Sequence, residues 1–290
     1  MGCKTVGGIM ELLNGKEVSA TIEAMLATNI ECYKRDTGRK PTLAVIEVGD
    51  DPASSVYIRQ KRLACERVGI RFISKVFEEE VAESILLDEI RSLNSDPTVH
   101  GILIQLPLPN HLDSDFLLQQ ITPAKDVDGF HQINVGALTL GKASLKPCTA
   151  EGIISLLDYY DIPLAGLNAV VVGRSDIVGK PISQLLLQRD CTVTICHSKT
   201  KNLKQHTIHA DLLIVAAGRK HLINETMVKP GAIVIDVGIH RNEDGTLTGD
   251  VDFERVKGLV SKITPVPGGV GPLTVATLLE NVFTACQSQN

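Results

Sequence analysis

Tyr57 and Lys61 stand four residues apart in Tyr57-Ile58-Arg59-Gln60-Lys61, a spacing that puts both on one face of a helix. Lys61 could then move a proton if its surroundings tune it, and Tyr57 could cover a planar ligand. Tyr and Lys at this spacing equally make an ordinary amphipathic surface. Gln105 closes the apolar run Gly101–Gln105, where a neutral amide could orient Lys61 without adding charge. In Lys125-Asp126-Val127-Asp128-Gly129 the two aspartates alternate, so in extended backbone they face the same way. Either could accept donors from a nitrogen-rich heterocycle, and Asp128 before Gly129 could equally be turn chemistry.

A second constellation lies in Val170-Val171-Val172-Gly173-Arg174-Ser175-Asp176-Ile177-Val178-Gly179-Lys180-Pro181. It reads as a strand emptying into a tight turn and then a helix, whose first backbone N–H groups could hold phosphate. Ser175 replaces the second glycine of the usual dinucleotide fingerprint, and Gly179 comes one residue late. The next apolar run, Thr192–Cys196, leads into His197-Ser198-Lys199-Thr200, with no carboxylate to take a ribose hydroxyl. Arg174, Ser198 and Lys199 instead offer donors to a 2′-phosphate, which selects NADP over NAD; a solvated basic turn is the other reading. The eight histidines include no HExxH, and His197, His206 and His209 lack a ligand spacing, so no metal is expected.

These residues need elements to position them. Apolar spacing predicts helices over 18–34, from Ser54 or Ser55 to Val68 with Gly69 ending it, and over Val81–Asn94. Between them fall strands Thr42–Val48, Ile70–Val76 and Gly101–Gln105. A second unit begins with a helix at Thr149–Tyr160, followed by strands Leu167–Val172, Thr192–Cys196, Asp211–Ala216 and Ala232–Val237. A helix near Lys180–Arg189 lies among them. A final helix, about Leu273–Ala285, follows a glycine-rich turn. Short apolar runs alternating with helices argue two α/β domains with largely parallel sheets, the second open and Rossmann-like.

Composition narrows the function. The chain has 290 residues, with 29 Lys and Arg against 34 Asp and Glu, so there is no basic surplus for nucleic acid. Aromatics are only 3%, without tryptophan, which leaves few stacking platforms for bases. No apolar run reaches membrane-spanning length, and the start lacks a signal peptide's pattern. Met1-Gly2-Cys3-Lys4-Thr5-Val6 approaches a myristoylation start, but Val6 stands where Ser or Thr belongs. Seven cysteines with no CxxC pair point to a reducing cytoplasm and mostly buried thiols.

Taken in order, these segments resemble the bifunctional methylenetetrahydrofolate dehydrogenase/methenyltetrahydrofolate cyclohydrolase family, especially its compact bacterial form. The resemblance rests on Tyr57–Lys61, Gln105-Leu106-Pro107-Leu108-Pro109, Lys125–Gly129, Gly173-Arg174-Ser175, and the distinctive Pro265-Val266-Pro267-Gly268-Gly269-Val270-Gly271-Pro272-Leu273-Thr274. It implies a folate-binding catalytic domain of residues 1–148 plus 273–290, with the C-terminal helix returning to it. An NADP-binding domain of 149–272 follows, with the folate in a cleft between the two. By the same resemblance Lys61 is catalytic, Gln105 positions and tunes it, Tyr57 contacts the aryl ring and Asp128 fixes the pterin with Asp126 in support. Gly173, Arg174, Ser175, Ser198 and Ile239 hold NADP, while Gly269 and Pro272 belong to a loop closing over folate and nicotinamide. The implied activity oxidises 5,10-methylenetetrahydrofolate with NADP⁺ and hydrolyses the methenyl product to 10-formyltetrahydrofolate. A cytoplasmic homodimer supplying purine synthesis, with links to methionine and histidine metabolism, is the family expectation. The chain departs from the family at Ala217-Gly218-Arg219-Lys220, commonly Val-Gly-Lys-Pro-like, and at His240, commonly Asn. Another two-domain NADP dehydrogenase, or a non-catalytic NADP sensor, would explain the glycine-rich turn but not the joint presence of Tyr57, Lys61, Gln105, Asp128 and Pro265–Pro272.

Overall fold

The computed structural model describes residues 10–49 and 52–289; the Met1–Val6 start, and Asp50 and Asp51 before Pro52, lie outside the described residues. In chain order the first elements are β1 (Glu11–Leu12), α1 (Gly15–Thr37), β2 (Thr42–Val48), α2 (Pro52–Val68), β3 (Arg71–Phe77), α3 (Glu83–Ser95), β4 (Gly101–Ile104), α4 (Ser114–Leu118) and α5 (Gln132–Thr139). There follow α6 (Cys148–Tyr159), β5 (Asn168–Val172), α7 (Gly179–Gln188), β6 (Thr192–Cys196), α8 (Leu203–Thr207), β7 (Leu212–Val215) and β8 (Ile233–Asp236). The last are β9 (His240–Arg241), β10 (Leu247–Thr248), α9 (Phe253–Val256), β11 (Lys262–Ile263) and α10 (Val270–Ser288). The described residues divide into two compact units, one of 19–148 with 274–289, the other of 149–273 with 10–18.

In the first unit three parallel strands lie in the order β3-β2-β4. The side-chain period of two sends Leu43 and Val45 of β2 to one face and Ala44 and Ile46 to the other. Leu43 and Val45 pack with Leu26 and Ile30 of α1, Ile58 and Ala64 of α2, and Leu278 and Val282 of α10. Ala44 and Ile46 pack with Leu86 and Ile90 of α3 and Leu117 of α4. Both faces are therefore dry, as parallel strands require. Gly69 ends α2 at φ +84°, a left-handed step that costs glycine little. The last carbonyls of α3 are met by a buried ammonium: Lys125 Nζ donates to Leu93 O, Asn94 O and Asp96 O at 2.9, 2.9 and 2.7 Å, answering orphan acceptors and the negative end of the helix dipole.

The second unit carries a sheet ordered β1-β11-β8-β7-β5-β6. All its pairings are parallel, with Val172 beside Cys196 on one flank of β5 and beside Val215 on the other. The chain steps from β5 to one side and returns to β7 on the other, so the carboxyl end of β5 is a switch point, where open α/β sheets bind ligands. The N-terminal segment packs with this unit. Glu11 pairs with Lys262 and Leu12 with Ile263, the Asn14 amide donates to Tyr160 Oη at 2.9 Å, and Lys262 makes an ion pair with Glu11. Residues 10–18 thus close the edge of this sheet rather than joining the first unit. Among the described residues no helix is long and apolar enough to cross a membrane. The described cysteines are free, Cys32 exposed and Cys65, Cys148, Cys191, Cys196 and Cys286 buried.

Candidate active site

In the first unit, α2 carries Lys61 half-buried, one turn beyond exposed Tyr57. Lys61 Nζ donates to Gln105 Oε1 at 3.0 Å. Gln105 extends the sheet by one rung, its amide donating to Ile46 O at 2.9 Å. Its side-chain nitrogen donates to Leu106 O at 2.7 Å, which fixes the amide so that its oxygen faces the ammonium. A neutral acceptor therefore holds the Lys61 head without pairing away its charge.

Asp128 sits near enough for Lys61 to act on it. Burial pushes its carboxyl up to about 6, the Lys61 charge pulls it back, and Asp126 adds repulsion. Asp128 Oδ1 lies 3.9 Å from the Cys148 thiol, itself raised well above its ordinary value, chiefly by burial. Gly129 lets the loop turn at φ +73°, and a Cβ there would lie 2.6 Å from the Lys146 carbonyl carbon. Asp126 plays a different part from its neighbour. It is 2% exposed, and its Oδ2 accepts from the His131 amide and Asn134 Nδ2, both at 2.8 Å. The backbone at Asp126 has φ −76° and ψ 83° rather than the extended values that would align the two carboxylates. Asp126 builds the loop, and Asp128 stands beside Lys61 and Cys148. Asn281 of α10 was not visible in the sequence pattern; its Nδ2 donates to Val127 O at 2.8 Å and Lys146 O at 2.9 Å, tying both sides of the Asp128 loop to that helix.

In the second unit, Gly173 leaves β5 at φ +143°, and a Cβ there would meet Ala216 O at 2.2 Å. A Cβ on Gly179 would fall 2.3 Å from Gly173 O and 2.7 Å from Arg174 N. The late glycine thus lets α7 begin directly against the turn. Ser175 Oγ accepts from the Val178 and Gly179 amides at 3.2 and 3.4 Å, so it satisfies N–H groups at the helix start from within. Arg174 and Ser198 are exposed at the ends of β5 and β6, adjacent strands joined by the Gly173 amide donating to Cys196 O at 2.9 Å. A pair of bare glycines under a donor-rich rim fits a dinucleotide with a 2′-phosphate. Ile239, 48% exposed, lies beside Gly271, whose Cβ would stand 3.8 Å from Ile239 Cδ1. The Gly269 turn is seated on α1: the Lys16 amide donates to Gly268 O at 3.1 Å, and a Cβ on Gly15 would overlap Gly269 O at 1.7 Å. Pro272 falls in the first turn of α10, where proline is tolerated.

Residues 13–128 match the catalytic domain of tetrahydrofolate dehydrogenase/cyclohydrolase, and residues 147–290 match its NAD(P)-binding domain. The chain belongs to the tetrahydrofolate dehydrogenase/cyclohydrolase family. It is 50% identical over 282 residues to the bifunctional protein FolD of Nitrosospira multiformis, covering 96% of each chain. It superposes on the bifunctional enzyme FolD of Campylobacter jejuni with a TM-score of 0.95 at 49% identity, covering 97% of this chain and 100% of the other. The Trypanosoma brucei methylenetetrahydrofolate dehydrogenase-cyclohydrolase, solved with NADP cofactor and inhibitor, gives 0.92 at 36% identity over 96% and 98% of the two chains. Within this tetrahydrofolate dehydrogenase/cyclohydrolase, the structure joins Lys61, Gln105 and Asp128 in the first unit. It gathers Gly173, Arg174, Ser175 and Ser198 at one sheet end in the second. A buried pair missed by sequence reasoning, Asp236 and Asp250, lies under the adjoining loops, and its signal was the glycines Gly238 and Gly249, each pressed against a carboxylate.

Proposed function

We propose that the chain oxidises 5,10-methylenetetrahydrofolate to 5,10-methenyltetrahydrofolate with NADP⁺ and hydrolyses that product to 10-formyltetrahydrofolate. The observation that carries the reading is Lys61 held by Gln105 at 3.0 Å, beside a carboxyl whose ionisation Lys61 itself influences. Asp128 accepts from the pterin's nitrogen-bound hydrogens and so fixes the ring, and Tyr57 covers the aryl portion. NADP⁺ supplies the hydride acceptor, held by Arg174 and Ser198 at its 2′-phosphate, with the Gly173 turn, Ser175 and Ile239 along its length. Folate nitrogen lone pairs stabilise the developing cation, so the protein's contribution to oxidation is orientation. Hydrolysis asks more of the side chains. Water adds to the methenyl cation and loses one proton to solvent; the hydroxyl's second proton passes to the ring nitrogen as the carbonyl forms and the bond between that nitrogen and the carbon breaks. Lys61 carries this proton, and Gln105 keeps its head aimed. Gly269 and Pro272 line the loop that closes on the ligands.

The test is to follow methylenetetrahydrofolate with NADP⁺ through methenyl formation and decay, in wild type and Lys61→Ala. Loss of decay by about a hundredfold or more with formation retained is expected; near-normal decay in the variant overturns the role. The outer edge of β3 has no strand partner among the described residues, and Val76 on it is 67% exposed, which supports a homodimer through this edge. Free buried thiols and a substrate that must stay reduced favour the cytoplasm.

A further inference from the structure

A buried carboxylate stack lies beneath the loops that follow β7 and β8. Asp250 is 0% exposed and Asp236 is 3% exposed. Asp250 Oδ2 accepts from the Ala217 and Gly218 amides at 2.6 and 2.9 Å, and its Oδ1 accepts from His240 Nε2 at 2.7 Å. One side chain thereby grips the loop after β7 and the loop after β8 together. Asp236 lies directly against Asp250. Its carboxylate accepts from the amides of Gly238 and Asp250 at 3.0 Å each and of Val251 at 2.9 Å, while its own amide donates to Thr264 Oγ1 at 2.8 Å. The fit allows no side chain between. A Cβ on Gly238 would sit 2.4 Å from Asp250 Oδ1, and one on Gly249 would sit 1.9 Å from Asp236 Oδ2.

Position gives the stack a purpose. A dinucleotide lies across the switch point, one half on each side of the first strand. Arg174 and Ser198 take the 2′-phosphate half on the β5–β6 side, so the loops after β7 and β8 are left to face the nicotinamide half. We propose that Asp250 is a positioning residue for that half. It presets the Ala217–Gly218 amides and Ile239 before the cofactor arrives, with His240 as the clamp that joins the two loops. The proposal rests on the NADP reading above. An asparagine at position 240 would offer an amide N–H to the same acceptor.

The experiment compares Asp250→Ala, Asp250→Asn, His240→Ala and His240→Asn with wild type. NADP⁺ affinity is read by titration calorimetry, amide exchange at residues 217–218 in the unliganded enzyme, and methenyl hydrolysis without NADP⁺. Asp250→Ala removes both grips, so affinity should fall about tenfold or more and exchange at 217–218 should rise by a similar factor, with hydrolysis within about twofold. Asp250→Asn keeps an oxygen for the two amides and offers N–H to a His240 Nε2 acceptor, so it should stay within about threefold of wild type. His240→Ala should weaken affinity about threefold to tenfold, and His240→Asn should restore it. If Asp250→Ala does not fold, the His240 pair decides. Wild-type affinity and exchange in both alanine variants, or equal losses in His240→Ala and His240→Asn, overturn the proposal. A wild-type enzyme that binds no NADP⁺ overturns the cofactor reading itself, before any variant is compared.

Discussion

Asp128 offers a pH signature that separates ligand binding from proton transfer. With its carboxyl at about 6, the group is about 91% ionised at pH 7 and about 9% ionised at pH 5. If the carboxylate is the acceptor for the pterin, KM for methylenetetrahydrofolate in the dehydrogenase assay should rise about tenfold between those two pH values. That is about 1.4 kcal/mol of apparent binding, with the midpoint near 6. Asp128→Asn removes the titration and the charge. Its KM at pH 7 should be higher by about 10- to 150-fold, the worth of a hydrogen bond to a charged group, and should lose this pH dependence. Lys61→Met adds an independent check, because Lys61 pulls the Asp128 carboxyl downward. Removing that charge should move the midpoint above 6 while leaving oxidation measurable. KM for NADP⁺ measured in parallel should not follow the Asp128 midpoint. A wild-type folate KM that is flat from pH 5 to 7, or an Asp128→Asn profile with the same midpoint as wild type, refutes the reasoning.

Other outcomes follow from single contacts. Arg174→Ala should weaken NADP⁺ binding by about 10- to 150-fold while changing NAD⁺ binding little, since only NADP⁺ carries the 2′-phosphate; equal losses in calorimetry would count against 2′-phosphate recognition. Gly179→Ala places a Cβ 2.3 Å from Gly173 O, so the turn must shift. Stability should fall by about 1–3 kcal/mol by urea denaturation, with NADP⁺ affinity lost alongside; an unchanged affinity would show that the turn does not hold the cofactor. His100 is buried, its Nδ1 accepts from the Thr42 amide at 3.2 Å, and burial, then Arg39 and Lys125, push it from 6.5 down to about 4. Its folded value lies below its unfolded one, so the stability it contributes is present above pH 6.5 and is lost as pH falls through 4. His100→Asn keeps an acceptor without the titration, so the stability difference between wild type and variant should shift by about 3 kcal/mol from pH 7 to pH 4; a difference that does not vary with pH would contradict this.

What the sequence disclosed follows from how far apart the interacting groups lie. Strands β2 and β6 are found at their predicted bounds for different reasons: β2, buried along most of its length, writes itself as a nearly unbroken apolar run, whereas β6 is a half-exposed edge strand marked by its β-branched residues. Strands β1, β9, β10 and β11 have two residues each, too few to show any period. Their existence depends on partners such as Glu11 and Lys262, far apart in the chain. Lys61 and Gln105 are 44 residues apart, and local spacing could not join them; the ordered family motifs did. The alternation of Asp126 and Asp128 misled because the chain turns there, and the first carboxylate is consumed by the His131 amide. Asp236 falls inside the run Ala232–Val237 and Asp250 in no predicted element, so neither stood out. Only the glycines that make room for them marked the spot.

Asn281 also has a consequence for biosynthesis. It bonds to the Val127 carbonyl across 154 residues of chain, and α10, which carries it, supplies part of the first unit's core. While a ribosome is still translating the second unit, the first has Lys61, Gln105 and Asp128 in hand but lacks the helix that braces the Asp128 loop. The inserted unit from Thr149 to Leu273 can gather most of its sheet earlier, as domains fold in order of emergence. The cluster of Lys61, Gln105 and Asp128 therefore matures last, although its residues are made first, and a nascent chain stalled before Asn281 should expose apolar faces of β2 and α1 to chaperones.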